Sequence, residues 1–334
     1  MKIIILITLI SLIIILFFLI PKKSKFYTTD ITTKYIENIT GKYPDTNYSM
    51  FRSQCYIDET LYSAERVNKN EKNGLYLNGI PYGFDMEAED PRLIIYNKKV
   101  YVIFNCLVPF ENQERGIAIT EFNEWNPIFL QVENMPKNHW EKNWMPFVKD
   151  ETLYFVYNCD PLVILSYDFN NDGICKVVFT QNNISLPCEI SKYLRGGTNL
   201  IHFKDDYYLG ACHSIVIHNS IHIYNTQIIL LDTKNWKIVY MSEPIMYEID
   251  DNTIQKKPGT NIIYEVSNIY GGLFMIINPC SIYIKNNKTY ITVDISDRKT
   301  LLYELNINDN IQMVEYELGK LQELTHYYID KHFL

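Results

Sequence analysis

The sequence predicts an all-β fold: a five-bladed β-propeller behind an N-terminal transmembrane helix. Three observations predict it. One apolar hairpin recurs five times along the chain. No helix-period segment of convincing length intervenes between the copies. The composition, with 27 Tyr and 16 Phe in 334 residues, favours strands. The chain is long enough for one large domain or two small ones.

The first element is the hydrophobic run from Ile3 to Ile20, interrupted only by Thr8 and Ser11 and carrying no charge. Such a run is just long enough to span a bilayer as a helix. A cleaved signal peptide is the rival reading, but no small-x-small cleavage site precedes Pro21, and Lys22, Lys23 and Lys25 follow at once. Residues 1–21 therefore read as an anchor or signal-anchor, 22–47 as a tether and 48–334 as the propeller. Lysines flank the run on both sides, so the positive-inside rule does not fix its orientation and leans only slightly towards a cytosolic body. Sequons at Asn38, Asn47, Asn183 and Asn287 favour a lumenal or extracellular body on a single-pass membrane protein.

The hairpins come next. They run over Cys55–Val67, Leu93–Cys106, Pro146–Pro161, Leu200–Ser214 and Cys280–Asp297. Each pairs an apolar strand with an aromatic one through a turn of Asp, Asn, Lys or Glu, residues that suit tight hairpins. The tyrosine after each turn marks register: Tyr62, Tyr101, Tyr154, Tyr208 and Tyr290, spaced 39, 53, 54 and 82 residues apart. Five such units suggest five sheets of about four strands. The long last gap suggests an insertion around 248–264. A β-sandwich of meandering hairpins is the alternative.

Several classes are excluded or disfavoured. The net charge of -8 offers no basic surface for nucleic acid. The seven cysteines form no C-x-x-C pair and read as small buried hydrophobes. "DFNNDG" (Asp168–Gly173) starts like a calcium loop but lacks the glutamate at its end, where Phe179 stands, and reads as a turn. No metal or cofactor is called for. His202, His218 and His222 form no metal spacing with His213.

In a propeller, polar residues at the ends of the inner strands converge on one mouth. Blade one offers Arg52 and Arg66, and blade two Glu89, Asp90, Arg92 and Asn105. Blade three offers Lys142, Asn143, Asn158 and Asp160. Blade four supplies "RGGTN" from Arg195 and then His213, and blade five "NPCS" from Asn278 and then Asp297. Acids can transfer a proton at a glycosidic oxygen. Arg and Lys can hold a phosphate. Trp140 and Trp144 serve either a sugar face or the core. Gly196 and Gly197 read as sites of close backbone approach.

"EDPRL" (Glu89–Leu93) resembles the E-D-P-R signature of glycoside hydrolase family 130, the β-mannoside phosphorylases and hydrolases, and of the related β-1,2-mannosyltransferases. Four further pieces resemble that family in order: the strand ending in Arg66, "KNWMPF", "RGGTNLIHFKDDYYLGACH" and "INPCSIYIKNNKTYITVDISD". The resemblance covers Phe51 to Leu305. It implies a five-bladed propeller with Asp90 as the single general acid and Arg92 ordering the turn or binding an anion. It implies Arg66, Lys142 and His213 at a phosphate, and Asp297 on sugar hydroxyls. Arg52, Glu89, Asn143 and Asp160 join the substrate-binding candidates. Departures at Pro146-Phe147, Ala211-Cys212-His213-Ser214 and Ser281 weaken strict phosphorolysis.

The anchor tips the expectation towards a membrane-bound inverting glycosyltransferase moving mannose. Its partners are a sugar-phosphate or nucleotide-sugar donor and a glycan acceptor. A nucleophilic Asp297 or Asp160 would instead predict retention. The alternatives are a phosphorylase or hydrolase, or a propeller that binds glycans or protein without catalysis.

Overall fold

The computed structural model describes residues 31–108, 115–135, 141–183, 194–218, 221–245, 255–256, 263–264, 267–269, 272–308 and 311–333. The N-terminal hydrophobic run, Cys188, Trp140 and most of 248–264 lie outside them. Among the described residues no helix is long and apolar enough to cross a membrane.

Five blades follow in chain order. Blade one is Tyr48–Ile57, Thr60–Lys69, Lys72–Leu77 and Ile80–Tyr82. Blade two is Glu89–Tyr96, Lys99–Leu107, Arg115–Glu121 and Glu124–Val132. Blade three is Met145–Lys149, Thr152–Cys159, Leu162–Tyr167 and Ile174–Thr180. The outer strands of blades two and three touch through a short parallel pairing, Ile174 with Gln131 and Cys175 with Val132. In blade four, Leu194–Arg195 and Ile201–Lys204 both pair with Tyr207–His218, followed by Ile221–Asp232 and Lys237–Met241. Blade five is Ile277–Lys285, Lys288–Ile295 and Lys299–Ile307, completed by Ile31–Asn38. That strand falls inside the stretch read as a tether. It instead joins the start of the described chain to its last sheet and closes the ring.

The hairpin reading holds strand by strand. Tyr62, Tyr101, Tyr154, Tyr208 and Tyr290 each face a residue of the preceding strand: Cys55, Ile94, Phe147, His202 and Tyr283. The turns are tight because their residues accept left-handed backbone. Asn97-Lys98, Asp150-Glu151 and Asn286-Asn287 all have positive φ, the pattern of a type I′ hairpin. Asp168–Gly173 is an Asx turn, with the Asn170 N–H donating to Asp168 Oδ1 at 2.9 Å.

The core lies between neighbouring blades. Ile103, Ile119, Phe155 and Leu165 fill the space between blades two and three. Leu209, Ile228, Ile291 and Tyr303 fill it between blades four and five. Six described cysteines are buried and unbridged, as their apolar settings suggested. Trp144 is a core residue; its indole N–H donates to Glu141 Oε2 at 2.9 Å.

One element departs from the all-β expectation. Lys320–Phe333 is an α-helix. Its buried Leu321, Leu324 and Tyr328 recur at helical spacing and pack on blades three and four.

Around the axis the inner strands are tied to each other. The Leu93 N–H donates to Ser53 Oγ at 3.2 Å and the Gln54 N–H to Ser281 Oγ at 2.9 Å. Asn199 bonds both backbone groups of Ile282, at 2.9 and 3.1 Å. These bonds make a rigid floor, and the strands rise from it to one polar mouth.

Candidate active site

The mouth encloses a cavity of ≈ 500 Å³ to which all five blades contribute. Backbone irregularity also shapes the cavity. Register shifts fall at Met50/Arg52, Glu89/Arg92 and Pro279/Ser281, on the inner strands of blades one, two and five. Phe51 (φ 50°), Asp90 (φ 51°), Asn143 (φ 62°) and Asp297 (φ 49°) are all left-handed. Such conformations cost about 1–3 kcal/mol each and cluster at functional sites. A bulge re-aims a side chain, and here Phe51 and Asp90 turn into the cavity.

Glu89 is the hub of one wall. Its Oε1 accepts from Arg66 Nη2 at 3.1 Å, Asn73 Nδ2 at 2.7 Å and Arg115 Nη2 at 2.9 Å. Lys142 Nζ stands 3.9 Å from its Oε2. Asp90 lies beside it, its side chain 17% exposed to the cavity, with Arg66 Nη1 donating to Oδ1 at 3.2 Å. Burial alone would raise the Asp90 carboxyl. The charges of Arg66, Lys142 and Arg92 outweigh that, so it sits below its ordinary value and stays ionised.

Arg92 is fully enclosed and fixes three elements at once. It donates to the Gly197 carbonyl, to Asp90 O at 3.0 Å and to Asn143 Oδ1 at 3.1 Å. Its guanidinium lies 5.4 Å from the centre of the Phe51 ring. The glycines of "RGGTN" make this approach possible. A side chain at Gly196 would strike the Asn143 carbonyl, and one at Gly197 the Ala211 carbonyl.

The opposite wall is built differently. Arg195 pairs in register with His213, and Tyr224 stacks on the His213 ring at 5.9 Å between centroids. Burial, with Arg195 and Arg92 nearby, pushes His213 down to about 3, so it is neutral. Arg195 Nε, His213 Nδ1 and Asn278 Oδ1 have no hydrogen-bond partner among the described residues. The cavity lining holds five cations (Arg66, Arg92, Arg115, Lys142, Arg195) against three carboxylates (Glu89, Asp90, Asp297). That surplus suits an anion.

Of the residues given a catalytic, substrate-binding or phosphate-binding role from sequence, Arg66, Glu89, Asp90, Arg92, Lys142, Asn143, His213 and Asp297 line this one cavity. Two do not. Arg52 follows the bulge at Phe51 and turns away. It donates to Ile39 O at 2.8 Å and Ser63 Oγ at 3.2 Å, with Glu65 at 3.7 Å. Asp160 lies under the C-terminal helix, where its carboxylate accepts from Gly319 N at 3.0 Å and Gln322 N at 3.1 Å. It is a helix cap, neither a sugar ligand nor a nucleophile for this cavity.

Three residues escaped the sequence reading. Arg115 opens an apolar strand with nothing nearby to mark it, and Asn73 sits in a turn-like "EKNG". Arg195 was visible as a flank of its hairpin but carried no assigned role. All three depend on neighbours brought up by the fold.

Residues 110–230 match the family described as Beta-mannosyltransferases. The chain is similar to the β-mannosyltransferases. Over 125 residues it is 34% identical to Beta-mannosyltransferase 3 of Candida albicans, a stretch covering 34% of this chain and 22% of that protein. The chain thus aligns with about a fifth of its relative's length. The family match takes in Arg115, Lys142, Arg195 and His213, while Asp90 and Asp297 lie outside it.

The fold is shared more widely. MPT-1, a GDP-Man-dependent mannosyltransferase from Leishmania mexicana, superposes with a TM-score of 0.55 at 9% identity, over 89% of this chain and 96% of that one. A solved structure from glycoside hydrolase family 130, in work on hydrolases that target β-1,2 mannosidic linkages in Candida mannan, gives 0.52 at 11% identity, over 89% and 95%.

Proposed function

We propose that the protein is an inverting β-mannosyltransferase that uses an activated mannose donor with a phosphate leaving group and a glycan acceptor. One observation carries this reading. Asp90 faces a polar cavity with its carboxylate held ionised by Arg66, Lys142 and Arg92. An ionised carboxylate accepts protons. The role of general acid, implied by the family resemblance, would need it protonated, and these three cations oppose that. Transfer from a sugar phosphate needs the opposite service, a base.

The step balances in that direction. The acceptor hydroxyl oxygen attacks C1 of mannose as its proton passes to Asp90. The bond from C1 to the phosphate oxygen breaks, and its electron pair leaves with the phosphate. The surplus cations of the cavity stabilise that anion. A single displacement inverts the anomeric centre. Asp297 does not offer a second, nucleophilic carboxylate. Burial and the neighbouring Asp90 and Glu89 raise its carboxyl, against the pull of Arg66 and of its hydrogen bond with Asp294, and that bond ties the group to a neighbouring acid.

We also read the hydrophobic run 3–20 as a retained anchor with the body lumenal or external. The Ile31–Asn38 strand starts opposite Ile307, at the end of blade five away from Asp297 and the cavity. Carbonate extraction of the expressed chain and a mobility shift on glycosidase treatment are expected; a carbonate-soluble, unshifted product overturns the anchor and its side.

The test of the activity is transfer from GDP-mannose to a β-mannoside acceptor, with the product linkage read by NMR. A β linkage is expected, lost with Asp90→Asn. Undiminished transfer by that variant removes Asp90 from the mechanism. Release of mannose 1-phosphate from a mannoside and inorganic phosphate, with no transfer, establishes the phosphorylase instead.

A further inference from the structure

Asp294 contributes no atom to the cavity, yet it holds two of the residues that do. It is the last residue but one of the second strand of blade five and is fully buried. Its Oδ1 accepts the Phe51 N–H at 3.0 Å and its Oδ2 the Asp297 N–H at 3.0 Å. Phe51 and Asp297 are the two left-handed corners that blades one and five present to the cavity. Left-handed backbone at a phenylalanine and an aspartate is costly, and it persists only where the surroundings impose it. One carboxyl group imposes it at both.

We propose that Asp294 is a positioning residue that clamps the Phe51 and Asp297 corners together through its two carboxyl oxygens and so sets the orientation of the Asp297 carboxyl group. The ring of Phe51 supports Arg92, and Arg92 in turn fixes Asp90 and Asn143. The clamp therefore links the seam between blades one and five to the reacting carboxylate. The consequence for the mannosyl transfer proposed above, on which this inference rests, is that Asp297 presents a fixed oxygen to a sugar hydroxyl.

The protonation of Asp294 follows from its surroundings. Burial and the adjacent Asp297 raise Asp294, against the pull of its backbone donors. Cys280, also fully buried and raised, is close to it, while Arg66, Asp90 and Glu89 act on it through Asp297. The positive charges near this set are Arg66 and, beside Cys280, Arg92. Both are already engaged, Arg66 with Glu89 and Asp90 and Arg92 with the Gly197 and Asp90 carbonyls. One proton shared by the pair removes the repulsion. At alkaline pH that proton is lost, the two carboxylates repel, and Asp297 moves.

Three variants of the full chain test this: Asp294→Asn, Asp294→Ala and Asp297→Asn, with the double variant Asp294→Ala/Asp297→Asn. Steady-state transfer from GDP-mannose is measured across acid, neutral and alkaline pH. Asn at position 294 can still accept from Phe51 and donate to Asp297 but cannot ionise. It should keep turnover within about threefold of wild type and shift or abolish the alkaline fall, the loss of one neutral hydrogen bond being small. Asp294→Ala should raise KM about tenfold, as for a lost hydrogen bond to a charged group. The double variant should be no worse than Asp297→Asn.

A merely structural Asp294 predicts something else: equal losses for Asn and Ala, an unchanged pH profile, and additive effects. Any of these overturns the proposal. Amide exchange at Phe51 and Asp297, read on the same variants without substrate, separates the two readings. Fast exchange in Asp294→Ala beside a wild type that transfers no mannose sinks the transferase and leaves the clamp. Unchanged exchange beside an active wild type sinks the clamp alone.

Discussion

The two walls of the cavity handle charge in opposite ways. On the wall of blades one and two, every acid has its cation: Glu89 is shared by Arg66, Arg115 and Lys142, and Asp90 is held by Arg66. On the wall of blade four, Arg195 faces the cavity with no ion pair among the described residues, and Arg195 Nε and His213 Nδ1 stand without a hydrogen-bond partner there. A wall balanced within itself is ready in the free protein. An unbalanced one is completed by what binds. Under the proposed transfer, the contrast places proton transfer on the first wall and anion binding on the second.

The contrast breaks hardest at Asp90. Asp90→Asn should lower kcat by about 10²–10⁴, the range for loss of a general base, while leaving KM for the donor near wild type. A rise in KM with unchanged kcat would move Asp90 to the binding wall. Next comes Glu89→Gln. It removes the negative charge shared by the buried Arg66 and Arg115, and should cost ~3–5 kcal/mol of stability, as for a broken buried ion pair. Urea unfolding measures it, and a loss of activity with no loss of stability would contradict the structural role.

His213 gives the second wall a pH signature. Its folded value, about 3, lies below the ordinary histidine value of about 6.5. The unfolded chain therefore binds the proton first as pH falls. The neutral His213 contributes its full stability above about pH 6.5, and this is lost progressively between there and the folded value. The slope is at most ~1.4 kcal/mol per pH unit. His213→Phe should flatten that part of the acid unfolding profile; an unchanged slope would place the acid sensitivity elsewhere. Arg195→Met should follow with a smaller effect, about a tenfold rise in KM for a phosphate-bearing donor and no change in unfolding. An equal rise for the acceptor would undo the assignment of that wall to the anion.

Much of this was legible in the sequence because repetition is legible. Five hairpins with a tyrosine after each turn announce five blades, and the polar flank of each announces a mouth. What escaped needed distances between blades. Arg115 sits at the start of a third strand and reaches Glu89 only once blade two has folded. The strand Ile31–Asn38 looked like a tether because its partner, Lys299–Ile307, is at the far end of the chain. The helix Lys320–Phe333 follows a long β pattern and offers few apolar residues, so its one buried stripe was missed.

Asp160 shows where the flank rule fails. It follows the second strand of blade three, so by analogy with Arg66 and His213 it should face the mouth. The analogy holds only while nothing else occupies that corner. Here the C-terminal helix does, and its unpaired first-turn N–H groups compete for the carboxylate. Gly319 N and Gln322 N take it, and Gln322 Nε2 adds a bond to Asp160 O at 2.9 Å. An anion at a helix N-terminus is favoured by both the free N–H groups and the dipole. Asp160→Ala should therefore cost about 1 kcal/mol, the usual worth of a cap, and should leave kcat and KM for both substrates unchanged. Asp160→Asn should recover most of the loss. A fall in activity without a fall in stability would return Asp160 to the cavity and blur the division between its two walls.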